Sequence, residues 1–233
     1  MAPFKKNLPA VGNAPRRRGL WPLALWGLVS VLTASAAPPT AADNADPRLG
    51  APLEKRERAV MGSETAGIVV IEVSSFKCTH CRAFHEKIFP RLRAQYIDSG
   101  QVQWVVLNAS DDAAEEFAQI FPIARCALRQ GKYWELLDSL FQVAHRPPSF
   151  LADLIAKSPL IDRGELEICL RDRAVRNDVA ADFTEYARLK IRGTPTFVVR
   201  KIGTDGRRTE TTIAGAEALE YFQRAFDELL KSP

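Results

Sequence analysis

Two apolar runs set the pattern of the chain. Gly67–Val73 is almost continuously β-branched, interrupted only by Glu72, and reads as a buried strand. Gln101–Leu107 alternates polar and apolar residues and reads as a second strand. Between them, an amphipathic helical segment begins at Arg82 and ends near Ser99 and Gly100. A strand–helix–strand unit of this kind builds a parallel sheet.

From Asp111 to about Lys190 the pattern becomes helical. Asp111 and Asp112 are candidate caps for a helix carrying Phe117, Ile120 and Phe121. Arg125–Val143 follows, with Gly131 as a break or join. Pro147 and Pro148 interrupt the chain, Ser149 caps a short helix, and Asp162–Lys190 predicts one or two more. Strand character then returns at Pro195–Arg200 and Thr209–Ile213, joined across the turn signal Gly203–Gly206. Ala216–Lys231 is a terminal amphipathic helix. There are no internal repeats. The charged stretch Leu53–Val60 predicts a short helix or linker.

Composition changes the reading at the N-terminus. Lys5, Lys6, Arg16, Arg17 and Arg18 precede an uncharged stretch from Gly19 to Ala42, whose apolar part is Leu20–Leu32. Ala34–Ala36 supplies a small-residue cleavage pattern, so residues 1–36 read as a signal peptide or, if retained, an anchor spanning about residues 20–37. The leader holds five of the 32 basic residues and no acid, which leaves 27 against 28 acidic residues. The net charge of +4 therefore carries no implication of nucleic-acid binding. Residues 37–61 form a linker or N-terminal extension, and the remainder suffices for one domain with a real core. Four cysteines in an exported chain suit an oxidising compartment such as the periplasm.

Cys78 and Cys81 carry the chemistry. They stand where the first strand turns into a helix, a position that offers the first sulfur unpaired N–H groups and the positive end of the helix dipole. Their spacing places both sulfurs on one face, close enough to bridge. A closed zinc site would need a second ligand pair, and Cys126 and Cys169 each stand alone, although His80 and His85 are close. Haem attachment would need a histidine where Arg82 stands. The pattern is that of a redox-active dithiol needing no cofactor. Cys78 is the accessible, attacked sulfur, and Cys81 is the more buried resolving thiol. His80, within the loop, is in place to stabilise the Cys78 thiolate by charge or hydrogen bond. Glu72, in a strand covered on both faces, reads as a buried acid with a raised pKa that relays protons to Cys81.

Three motifs together resemble the DsbA-like branch of the thioredoxin superfamily: Glu72 six residues before Cys78, the Cys78–Cys81 site, and Gly193-Thr194-Pro195. The stretch Phe121–Leu136 is similar to the bacterial helical insert, and the likeness spans about Gly62 to Leu230. The resemblance implies an α/β thioredoxin fold, a central mixed sheet flanked by helices, with residues 62–110 as its first half. Residues 111–190 would be the helical insertion and 191–233 the second half. It implies that Pro195 is cis and lies beside the dithiol, where the backbone before it, at Thr194, pairs with an extended substrate. Relatives often carry Pro where Thr79 stands, which puts the redox potential in question. The implied activity is exchange of a Cys78–Cys81 disulfide with thiols of reduced exported proteins, followed by reoxidation by a DsbB-like membrane partner. A monomer is expected. A disulfide reductase or isomerase and a non-catalytic module binding a metal or an envelope partner remain as alternatives. An isomerase of this superfamily normally has a dimerisation domain, for which residues 37–60 are too short.

Cys126 and Cys169 lie in half-apolar helical segments of the insert. Export and even number favour a structural disulfide between them over two buried thiols.

Overall fold

The computed structural model describes residues 57–109, 119–144, 146–203 and 207–231. The leader, the proposed helix cap at Asp111 and Asp112, and the hairpin tip at 204–206 lie outside the described residues. Five strands form one mixed sheet in the order β1-β3-β2-β4-β5. They are β1 (Ala59–Met61), β2 (Ile68–Ser74), β3 (Val102–Asn108), β4 (Thr196–Ile202) and β5 (Arg208–Ala214). β2 is central, running parallel to β3 and antiparallel to β4, which explains why it tolerates no exposed residue along its length.

Alternation along β2 sorts its side chains between two cores. Ile68 and Val70 join the larger core, which includes Trp104 and Val106 of β3 and Phe197 of β4. Val69, Ile71 and Val73 face the smaller one with Leu107, Val198 and Tyr186. Glu72 and Ser74 continue the Ile68–Val70 face and therefore point into the larger core. Two groups of helices cover that face. One is α1 (Thr79–Lys87) with α2 (Phe89–Leu92) and a π-helical turn at Arg93–Ile97. The other is α8 (Leu219–Lys231), which buries Leu219, Phe222 and Phe226. Pro90 falls in the first turn of α2, where its missing N–H costs nothing, so the single predicted helix becomes three short pieces.

The insertion comprises α3 (Ile120–Arg129), α4 (Tyr133–Val143), α5 (Pro148–Lys157), α6 (Arg163–Arg171) and α7 (Arg173–Leu189). Asp162 and Asp172 cap α6 and α7 by accepting the N–H groups of Glu165 and Ala174. Cys126 of α3 and Cys169 of α6 form a disulfide, with Cα atoms 5.8 Å apart. A buried ionic knot ties α3 to α7 as well: Asp182 of α7 accepts from Arg125 of α3 at 2.7 Å and from Arg58 at 3.0 Å.

One expectation changes. The end of the Leu53–Val60 stretch is neither helix nor linker, because Ala59–Met61 forms edge strand β1 antiparallel to β3. The chain leaves that strand through Gly62 at φ +96°, where an added Cβ would meet the Val102 carbonyl oxygen at 2.5 Å.

Candidate active site

Cys78 is the N-cap of α1. Its backbone is extended, its carbonyl accepts Arg82 N–H at 3.1 Å, and its Sγ accepts Cys81 N–H at 3.3 Å. The sulfur thus takes the place that a serine or aspartate oxygen holds at ordinary helix starts. It is half-buried, and it lies 3.1 Å from the Thr194 carbonyl oxygen, to which the thiol form donates. The Cys78 pKa is pulled down to about 5. The hydrogen bond from the Cys81 thiol is the largest cause, and burial opposes it. The Thr194 side chain and the backbone N–H groups of Cys81 and His80 add to the lowering.

Cys81 is the opposite case. It is fully buried, and that burial pushes its thiol far above the ordinary range, helped by its hydrogen bond to Cys78 and the negative charge of Glu72. One sulfur is held as a thiolate and the other as a thiol. Both are free cysteines in this structure.

Glu72 is also fully buried, as the sequence predicts, but its pKa moves the other way from that prediction. Burial does raise it. The charge and hydrogen bond of His85 and the hydrogen bond from Trp104, with a smaller lowering by the nearby Ser74 hydroxyl, outweigh burial and hold the carboxylate below its usual value. His85 Nε2 lies 2.8 Å from Glu72 Oε1, and Trp104 Nε1 donates to Oε2 at 2.9 Å. The strand reading located the acid but could not see the histidine that ionises it.

His85 is the residue paired with Glu72 that sequence reasoning missed, entering there only as a candidate metal ligand. It is buried, and it follows Cys81 by four positions on α1, so the two share the face turned to the sheet. That spacing was a readable signal; the partner on β2 was not. Trp104 was likewise recognised only as part of a strand.

The structure places His80 differently from the expectation. Its side chain is exposed and makes no hydrogen bond or ion pair among the described residues. Its contribution to Cys78 comes from its backbone N–H. Thr194 and Pro195 do stand beside Cys78, and the peptide between them is cis. The loop is fixed by Thr196 Oγ1 donating to the Gly193 carbonyl at 2.7 Å and Gly215 N–H donating to the Pro195 carbonyl at 2.8 Å. Of the six residues the sequence singled out, five converge on the dithiol through their side chains or adjoining backbone, and His80 does so through its backbone alone. No group of three or more His, Cys, Asp or Glu side chains arranged to hold a metal occurs among the described residues.

A low-pKa N-cap cysteine, a buried second thiol one turn on and a cis-proline loop against the first sulfur define a thioredoxin-fold dithiol site. The thioredoxin family model Thioredoxin_4 matches residues 54–216, and the chain belongs to this family, within its DsbA-like thiol:disulfide oxidoreductases. A probable disulfide bond formation protein D of Bacillus anthracis is 26% identical over 152 residues, covering 60% of this chain and 68% of that one. A putative protein-disulfide oxidoreductase of Rickettsia bellii is 27% identical over 176 residues, covering 72% and 67%. Among solved structures, alpha-DsbA1 of Wolbachia pipientis superposes with a TM-score of 0.64 at 22% identity, covering 74% of this chain and 90% of that one, a likeness of fold. The protein is a thiol:disulfide oxidoreductase.

Proposed function

We propose that the protein works as an oxidase in the folding of exported proteins, donating its Cys78–Cys81 disulfide to their thiols. The observation that carries this direction is the depressed Cys78 pKa of about 5. A thiolate this stable favours the reduced dithiol, and a disulfide whose reduced form is favoured is a strong oxidant. A substrate thiolate attacks Cys78 Sγ, the S–S bond opens, and Cys81 leaves as a thiolate that takes up a proton. A second substrate thiolate then attacks the mixed disulfide, forms the substrate's S–S bond and releases Cys78 as thiolate. Two electrons pass from the substrate thiols to the protein.

Thr194 and Pro195, against the attacked sulfur, are the proposed docking edge for an extended substrate. The leader supports action outside the cytoplasm and reoxidation by a DsbB-like membrane partner; no helix among the described residues is long and apolar enough to cross a membrane. The test is the reduction potential of the Cys78/Cys81 couple. A value well above the roughly −270 mV of thioredoxin is expected, and one close to it makes the protein a reductase.

A further inference from the structure

A cleft lies between the active-site helix and the insertion. Arg82 of α1, Gln142 and Val143 of α4, Arg146 of the following loop and Phe150 of α5 line it, and it encloses about 710 Å³. Arg82 directly follows Cys81, and its backbone N–H donates to the Cys78 carbonyl at 3.1 Å. The volume falls within the roughly 300–1,000 Å³ of ligand-binding pockets, room for a few residues of an extended chain.

The lining carries two arginines and, among the described residues, no carboxylate. The two arginines differ. Arg82 Nε donates to Glu86 Oε1 at 2.7 Å, one turn on along α1, and is neutralised there. Arg146 is exposed, and its side chain makes no ion pair or hydrogen bond among the described residues. Its guanidinium carbon stands 5.5 Å from the centre of the Phe150 ring, inside the range of cation–π attraction. That attraction uses none of the five N–H donors, which stay available to a planar carboxylate.

Phe150 is 47% exposed, among the few large apolar side chains left open to water. Backbone bonds hold this pair in place. Arg146 N–H donates to the Val143 carbonyl and Phe150 N–H to the Pro147 carbonyl, both at 2.9 Å. Pro147 and Pro148 stiffen the link between them. A cation and a ring fixed in this way lose little freedom when a chain binds.

We propose that this cleft is a specificity subsite, selecting substrate segments that carry a carboxylate beside an apolar side chain a few residues from the reacting cysteine. The proposal rests on the exchange function above and adds the class of substrate. Arg146 takes the carboxylate and Phe150 the apolar side chain. Cys78 and Arg82 are four residues apart, about 6 Å along a helix axis. An extended chain advances about 3.3 Å per residue, so the cleft is reached about two to four residues from a cysteine held at Cys78. A lysine at that place meets Arg146 and is disfavoured.

The test is stopped-flow reduction of the oxidised protein by synthetic dithiol peptides. One peptide carries Leu-Asp about three residues out on each side of its cysteines, in line with the reach above. The others replace each Asp by Lys or each Leu by Ser. Dithiothreitol, small and uncharged, sets the reference rate of each protein. Wild type should favour the aspartate peptide over the lysine peptide by about fivefold, the size expected of an exposed ion pair, and by less at high salt. Arg146→Glu should reverse the preference, and intrinsic differences in peptide thiol reactivity cancel between the two proteins. Phe150→Ala keeps every charge and should remove the advantage of leucine over serine. Arg208→Glu makes the same change of charge at the other end of the β4–β5 pair, where Arg208 faces Ile202, about 20 Å along the strand from Thr196. It should leave the preference as it is. An aspartate-to-lysine ratio that Arg146→Glu leaves unchanged, or that Arg208→Glu changes equally, overturns the subsite. Failure of the wild-type disulfide to exchange with dithiothreitol and with every peptide would instead count against the exchange function.

Discussion

The backbone N–H of Cys81 points at Cys78 Sγ from 3.3 Å, so the resolving cysteine helps hold the attacked one as a thiolate. The same side chain, buried against the sheet, is itself kept protonated. One helical turn therefore divides the roles of two chemically identical groups. The division comes from burial and from which end of the helix each sulfur meets.

Replacement of the two cysteines should have different consequences. Cys78→Ala should abolish disulfide transfer to a reduced test protein. Cys81→Ala should still be attacked but should accumulate mixed disulfides, because no resolving thiol remains. Non-reducing electrophoresis after acid quenching distinguishes them. Mixed disulfides that form on Cys78→Ala instead would reverse the assignment.

How much of this site the sequence disclosed depended on distance along the chain. Cys78, Cys81 and the helix between them are local, and so is the alternation that faces Glu72 inward. The Glu72–His85 pair joins residues 13 apart on different elements, and only the packing of α1 on β2 shows it. That is why the direction of the Glu72 shift was misread from burial alone. The same limit applies to β1, whose three residues are too few to display a period and become a strand only by pairing with Trp104–Val106. By contrast, the helical face of α8 is a local signal that the structure follows, whereas Ser149 lies inside α5, whose N-cap is Pro147 with no side-chain cap, because Pro148 already starts the helix.

The thiolate should show itself in stability. A folded Cys78 pKa of about 5 against a usual 9.0 means that the unfolded reduced chain binds more protons between those values. The reduced protein therefore gains stability as pH rises through this window and loses it as pH falls back through about 5. Cys81, with its raised pKa, begins to oppose this only above its usual 9.0. The oxidised protein has neither thiol to titrate. The melting temperature of the reduced form minus that of the oxidised form should thus climb between pH 5 and pH 8, as calorimetry can measure. A flat difference would mean that Cys78 is not a thiolate in the folded protein.

The Cys126–Cys169 bridge closes a separation of 43 residues across the insertion. In the chain-entropy account a loop of that size adds up to about 4 kcal/mol, and measured values are often smaller. The double variant Cys126→Ala/Cys169→Ala should shift the denaturation midpoint down while retaining transfer activity. An unchanged midpoint would show that the bridge between α3 and α6 adds nothing to an insertion already joined at α3 and α7 by the buried knot of Asp182 with Arg58 and Arg125.

His80 offers the sharpest test of what stabilises Cys78. The imidazole is exposed and free of polar contacts among the described residues, while the His80 backbone N–H lowers the Cys78 pKa. His80→Ala keeps that N–H, so the Cys78 pKa should move by no more than a few tenths, and the reduction potential should stay where it was. His80→Pro removes the N–H at a first-turn position where proline is tolerated in a helix. The pKa should then rise and the potential should become more negative, because loss of one donor weakens the thiolate and with it the reduced form. Each unit of pKa corresponds to about 1.4 kcal/mol of thiolate stabilisation. Thiolate absorbance gives the pKa, and equilibration with glutathione gives the potential. A rise of a full unit in His80→Ala would assign the effect to the imidazole, and the helix-start account of Cys78 would then be incomplete.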